Sequence, residues 1–140
     1  MAEKSESDWK LACLFDSLVG GSARAHVNID GRFVTVINHE NHLYCLDSSC
    51  YHNGGPLGVG DIETLGDNLC IICPWHRYSV SLSSGVLVYK KLEYSNGKLV
   101  PGGFSCTPNK QRTHEVENRE GNVYVRLNKD PTEFSSDLVN

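Results

Sequence analysis

Two short sets of residues have the types and spacing to do chemistry: Cys50-Tyr51-His52 and, further along, Cys73-Pro74-Trp75-His76. Thiolate and imidazole bind soft and borderline transition metals well. Each set offers one sulfur and one nitrogen on a single tight loop. Side by side, two such loops present two thiolates and two imidazoles to a shared centre. The first set runs on into Asn53-Gly54-Gly55-Pro56, and Cys73 is followed at once by Pro74. Glycines let a backbone fold close to a metal group and aim amides at it, while proline stiffens the second loop.

Two centres fit such a donor set. One is the Rieske [2Fe-2S] cluster, in which two histidines replace two cysteines on one iron. The other is a mononuclear structural zinc with two cysteines and two histidines. Zinc modules usually pair like with like, as C-x2-4-C with H-x3-5-H. Here unlike ligands are paired, and C-x-H is shorter than the usual zinc turn, which favours the cluster.

The run Cys50-Tyr51-His52-Asn53-Gly54-Gly55-Pro56-Leu57, then Cys73-Pro74-Trp75-His76, then Ser84-Gly85 resembles the cluster-binding segment of Rieske ferredoxins and of oxygenase Rieske domains. Looser similarity extends from Trp9 to Leu127, and the soluble Rieske-domain ferredoxins of animals are the nearest kind. The resemblance implies an all-β Rieske fold, an antiparallel sandwich base carrying a small cluster-binding subdomain at about residues 46–86. It also implies one [2Fe-2S] cluster per chain, with Cys50 and Cys73 on an inner iron and His52 and His76 on an outer, solvent-facing one. Two ferric ions, two sulfides and two thiolates sum to zero charge with neutral histidines, so an electron enters more easily than in a four-thiolate cluster.

Departures from the family pattern carry information. The high-potential respiratory and photosynthetic members place a disulfide across the cluster at the positions held here by Gly55 and Trp75. They also hydrogen-bond the cluster and cysteine sulfurs from a serine and a tyrosine, at positions held here by Tyr78 and Val80. Fewer such bonds leave the reduced state less stabilised, which implies a potential of roughly −150 to +50 mV. Arg77 stands where a glycine commonly follows the histidine. It reads as a solvated side chain, with docking to an acidic partner as the alternative.

The function implied is one-electron transfer from a reductase to an oxygenase or similar acceptor, by a monomeric carrier that is not itself an enzyme. A redox- or iron-sensing module is the alternative, distinguishable by a short cluster lifetime in air. A zinc module would be colourless and redox-silent. The chain of 140 residues has room for one domain and none to spare for a catalytic iron domain. A net charge of -4 and scattered basic residues argue against nucleic acid. No apolar run approaches membrane-spanning length, and the polar, acidic start is unlike a signal or transit peptide, which points to the cytoplasm. Six cysteines raise the question of a disulfide framework. Cys13, Cys45 and Cys70 lie in apolar runs, however, and read as core; Cys106 lies in a Gly/Ser/Pro-rich stretch and reads as exposed.

The elements that must position the loops read as strands. Residues 27–29 and 33–37 flank Asp30-Gly31 as a hairpin. Residues 43–46 lead into the first loop and 68–72 into the second. Residues 86–94 follow, with a turn at Asn96-Gly97, and 113–117 with 123–127 close the sheet around Glu120-Gly121. One helical turn is expected near residues 16–19. The 60–68 insert reads as a surface turn, 100–110 as a long loop, and 1–8 and 129–140 as disordered tails; the family resemblance implies that Pro108 in that loop covers the cluster. Among the remaining polar residues, His26, His39, His42 and His114 read as non-ligands, and Asp47, Asp61 and Glu63 as turn or solvated carboxylates, with orientation of a neighbouring backbone loop as the alternative for Asp47.

Overall fold

Alternating side chains and two-residue turns with left-handed backbone set the architecture. The computed structural model describes residues 8–20 and 22–140, and among these eleven strands build two antiparallel sheets. They are β1 (Trp9–Leu14), β2 (Ser22–Ile29), β3 (Arg32–His39), β4 (His42–Asp47), β5 (Asp61–Leu65), β6 (Asn68–Ile72), β7 (Ser79–Ser81), β8 (Leu87–Ser95), β9 (Lys98–Thr107), β10 (Thr113–Arg119) and β11 (Asn122–Arg126). Asp30 and Gly31 both have positive φ, at 50° and 92°, so the β2–β3 turn twists with its strands.

The base sheet runs β1-β11-β10-β4-β3-β2, and its two edge strands touch, curling it toward a barrel. The second sheet, β5-β6-β7-β8-β9, is inserted between β4 and β10, which themselves pair through Thr113–Leu46 and His114–Cys45. The first ligand loop therefore leaves the base at Asp47, and the second joins β6 to β7. Val34, Val36, Cys45, Val123 and Val125 fill the base core. A separate cluster of Ile37, Leu46, Leu57, Ile71, Val80 and Leu82 joins the two sheets, and Cys50 and Cys73 are part of it.

Several expectations need correction. The 60–68 insert is not merely a turn, because residues 61–65 form β5 against β6. The supposed long loop at 100–110 is largely β9, the edge of its sheet. Pro101 is tolerated on an edge, and the pairing shifts register beside it, at Gly102-Gly103. The inserted sheet consequently runs to Thr107, beyond the expected boundary near residue 86. The expected helical turn falls one residue early, as a 3-10 turn at Phe15–Ser17.

The expected disordered tail at 129–140 is instead ordered. A 3-10 turn at Ser135–Leu138 packs on the base, with Ser136 fully buried. Its amide groups bond to the Asn109 and Lys110 carbonyls, and polar side chains supply the anchoring that an apolar pattern would otherwise give. The amino-terminal tail expectation falls, apart from Asp8, outside the described residues.

Candidate metal centre

Each ligand loop is pinned by its own cysteine. In the first, the Cys50 amide bonds to the Gly55 carbonyl and the Gly54 amide to the Cys50 carbonyl; in the second, Cys73 and Tyr78 close the turn, and the Arg77 amide bonds back to the Cys73 carbonyl. His76 and Arg77 both have left-handed backbone, φ 63° and 60°. For non-glycine residues this costs on the order of 1–2 kcal/mol each, and it explains why glycine suits position 77. Strain held in a ligand loop is a feature of functional sites.

The loops interlock. The Trp75 ring lies so close over Gly55 that a Cβ there would be 2.9 Å from it. This contact joins the two positions at which disulfide-bearing relatives carry their cysteines. Tyr51 meets Tyr78 edge-on at 5.8 Å, and Tyr78 lies 4.3 Å from the His52 ring. The Tyr78 hydroxyl faces His52 Nε2 at 3.4 Å. Val80 is buried in the core between the sheets.

The four sequence-predicted site residues are brought together with a clear polarity. Cys50 and Cys73 are buried side by side, and His52 and His76 are exposed, their rings 5.2 Å apart. Burial pushes the Cys50 thiol above its ordinary value, the His52 amide opposes this, and the neighbouring Cys73 adds to it. A thiol so placed gives up its proton when it binds a metal cation. Among the described residues no three His, Cys, Asp or Glu side chains converge on one point. The candidate donors stand as a buried sulfur pair, Cys50 and Cys73, and an exposed nitrogen pair, His52 and His76.

Residues without any metal-ligand signature hold the first loop from below. Gln111 is fully buried; its Oε1 accepts the Tyr51 amide at 2.9 Å, and its Nε2 donates to the Asp47 and Ser49 carbonyls. Gly85 makes room for it, because a Cβ there would lie 1.8 Å from the Gln111 carbonyl oxygen. Asp47, expected to be a turn or solvated residue, is 0% exposed. Its carboxylate takes a two-point bond from Arg32, one from the Ser136 hydroxyl and one from His114. The Asn128 amide donates to His114 Nδ1, so Nε2 carries the hydrogen that meets Asp47. Burial would raise the Asp47 carboxyl, but the bonds from Arg32, His114 and Ser136 outweigh it and hold it below the carboxylate range. Sequence gave no signal for Gln111; for Asp47, its place immediately before the ligand loop was the only hint.

Other residues fall away from the centre. Asp61 and Glu63 are exposed on β5, and Glu63 reaches only Arg77, a largely solvated pair at 3.5 Å. His39 and His42 sit at the far end of the β3–β4 hairpin, and His26 Nδ1 meets Thr35. Pro108 is exposed. Cys45 and Cys70 are buried, Cys13 partly so, and Cys106 is exposed.

A two-sheet all-β fold with paired Cys/His loops at one end defines a Rieske-type protein. A family model described as soluble Rieske-type ferredoxin matches residues 17–130, and the chain belongs to that family. It is 36% identical over 117 residues to the human Rieske domain-containing protein, covering 84% of this chain and 74% of that one. Its fold is similar to the ferredoxin of carbazole 1,9a-dioxygenase from Nocardioides aromaticivorans, with a TM-score of 0.62, 18% identity and coverage of 86% and 98% of the two chains. It is also similar to a chain in the complex of reduced oxygenase and oxidized ferredoxin in carbazole 1,9a-dioxygenase, with a TM-score of 0.60, 25% identity and coverage of 87% and 95%. Soluble Rieske-type ferredoxins are electron carriers rather than catalysts, and among the described residues no helix is long and apolar enough to cross a membrane.

Proposed function

We propose that this chain is a one-electron carrier that holds a [2Fe-2S] cluster through Cys50, His52, Cys73 and His76, loaded by a reductase and discharged to an oxygenase-type acceptor. The observation that carries this is the polarity of the donor set, with both sulfurs buried and both imidazoles at the surface. The bound cluster takes up and gives back a single electron at a potential raised by histidine ligation. Cys50 and Cys73 anchor the negative, water-excluded side within the core between the sheets. His52 and His76 form the solvent-facing edge, the short route to a docked partner. Tyr78 and Trp75 fix the relative position of the loops. Because the Tyr78 hydroxyl faces an imidazole nitrogen and position 80 is valine, neither supplies the sulfur hydrogen bond of high-potential relatives, and the midpoint belongs at roughly −150 to +50 mV.

The oxygenase acceptor is suggested by the similarity to a ferredoxin of an oxygenase system, and short-lived docking suits a carrier that changes partners. A reducing compartment such as the cytoplasm suits the thiols outside the site, and the carrier works as a monomer. Film voltammetry of the purified protein tests the reading. One reversible one-electron wave in that window is expected, lost in Cys50→Ser and Cys73→Ser; a protein with no wave is not a carrier.

A further inference from the structure

Residues 131–140 lie beyond the stretch matched by the family model, yet they reach the first ligand loop. We propose that this segment is a strap that positions that loop, with Asn140 as its positioning residue. The inference rests on reading Cys50 and His52 as ligands.

The strap has an anchor and a tip. At the anchor, Arg112 is nearly buried and divides its guanidinium between the segment and the residues just before it. Nη1 donates to the Asn128 and Asp130 carbonyls, Nη2 to the Thr132 carbonyl, and Nε with Nη2 to the two Asp137 oxygens. The Phe134 ring lies 4.4 Å under the same guanidinium. Asp137 also accepts from Arg32, which bridges it to Asp47, and the Ser136 hydroxyl reaches Asp47 directly. Charge-assisted, two-point bonds of this kind fix orientation as well as position.

At the tip, Asn140 behaves toward Ser49 as a neighbouring strand would. Its Oδ1 accepts the Ser49 amide at 3.1 Å, its Nδ2 donates to the Ser49 carbonyl at 3.0 Å, and the same Nδ2 reaches the Ser136 carbonyl at 2.9 Å. Ser49 immediately precedes Cys50. Val139 covers Gly54, its Cβ 3.6 Å from where a Gly54 Cβ would lie. The tip thus spans the loop that carries both Cys50 and His52. Gln111 also holds this loop, through the Tyr51 amide and the Ser49 carbonyl. The Ser49 amide depends on Asn140, whereas the Tyr51 amide depends on Gln111, and that division makes the strap separable from general stability.

The test compares wild type, Asn140→Ala and a chain lacking residues 131–140. Amide hydrogen exchange is measured on the metal-free protein, and loss of visible absorbance in air on the cluster-loaded protein. In Asn140→Ala the Ser49 amide is expected to exchange about tenfold faster, with Tyr51 unchanged, as loss of one local hydrogen bond implies. The loaded variant is expected to lose its cluster several-fold faster than wild type, and the truncated chain faster again. Equal Ser49 exchange in wild type and Asn140→Ala overturns the strap, as does a parallel rise at Ser49 and Tyr51, which reports global loosening. If wild type assembles no cluster, the carrier reading fails, while the exchange comparison on metal-free protein still decides the strap.

Discussion

At the residue scale, the four metal-binding candidates were legible because thiolate–imidazole pairing at this spacing has few other uses. Their supports were not. Gln111 and Asp47 act through backbone groups and buried ion pairs that no local spacing encodes, and His114 looked like any strand histidine until its partner was placed by β10 pairing with β4. Arg77 is the clearest residue-level compromise. Its left-handed backbone is costly for a side chain, and its exposed contact with Glu63 contributes little. Arg77→Gly is therefore expected to stabilise the metal-free protein by about 0.5 kcal/mol, the strain relieved less the chain entropy of glycine. Urea unfolding measures it, and a loss of more than ~1 kcal/mol would show that the Arg77 contact matters after all.

At the scale of elements, the strands with alternating residues and two-residue turns were readable, because period-two patterning and the Asn-Gly and Asp-Gly turn types each have a direct physical meaning. The misreadings fell where breakers occur inside a strand. Pro101 and Gly102-Gly103 would end a central strand but only kink an edge one, and the short β5 is recognisable mainly by its pairing with β6. Gly85 shows how one element sets another. Gly85→Ala must adopt φ near 72° and push away the Gln111 backbone. A loss of roughly 2–4 kcal/mol is expected, with faster exchange at the Tyr51 amide. A denaturation midpoint equal to wild type would mean that Gln111 does not depend on this close approach.

For the whole molecule, the insertion of one sheet between two paired strands of the other makes the β4–β10 seam the place where everything meets. The partly buried ion pairs of Arg32, Arg112, Asp47 and Asp137 knit that seam to the segment after β11. The bonds from Arg112 hold Asp137 well below the usual carboxylate range against the opposing effect of burial, and Asp47 is lowered too. Both folded values lie below the unfolded ones, so this stabilisation is complete above about pH 4–5 and drains away as the pH falls through the folded values. Urea midpoints between neutral pH and about pH 3 are expected to fall steeply, and less so in Asp137→Asn, which starts lower. An identical acid dependence in both proteins would remove Asp137 from the account.

The central claim is tested most directly by electron paramagnetic resonance on the dithionite-reduced, natively metallated protein, with iron, zinc and sulfide measured on the same sample. A reduced signal with an average g of about 1.9 and about two irons per chain is the predicted result. A silent spectrum with stoichiometric zinc would contradict it and leave a structural metal module.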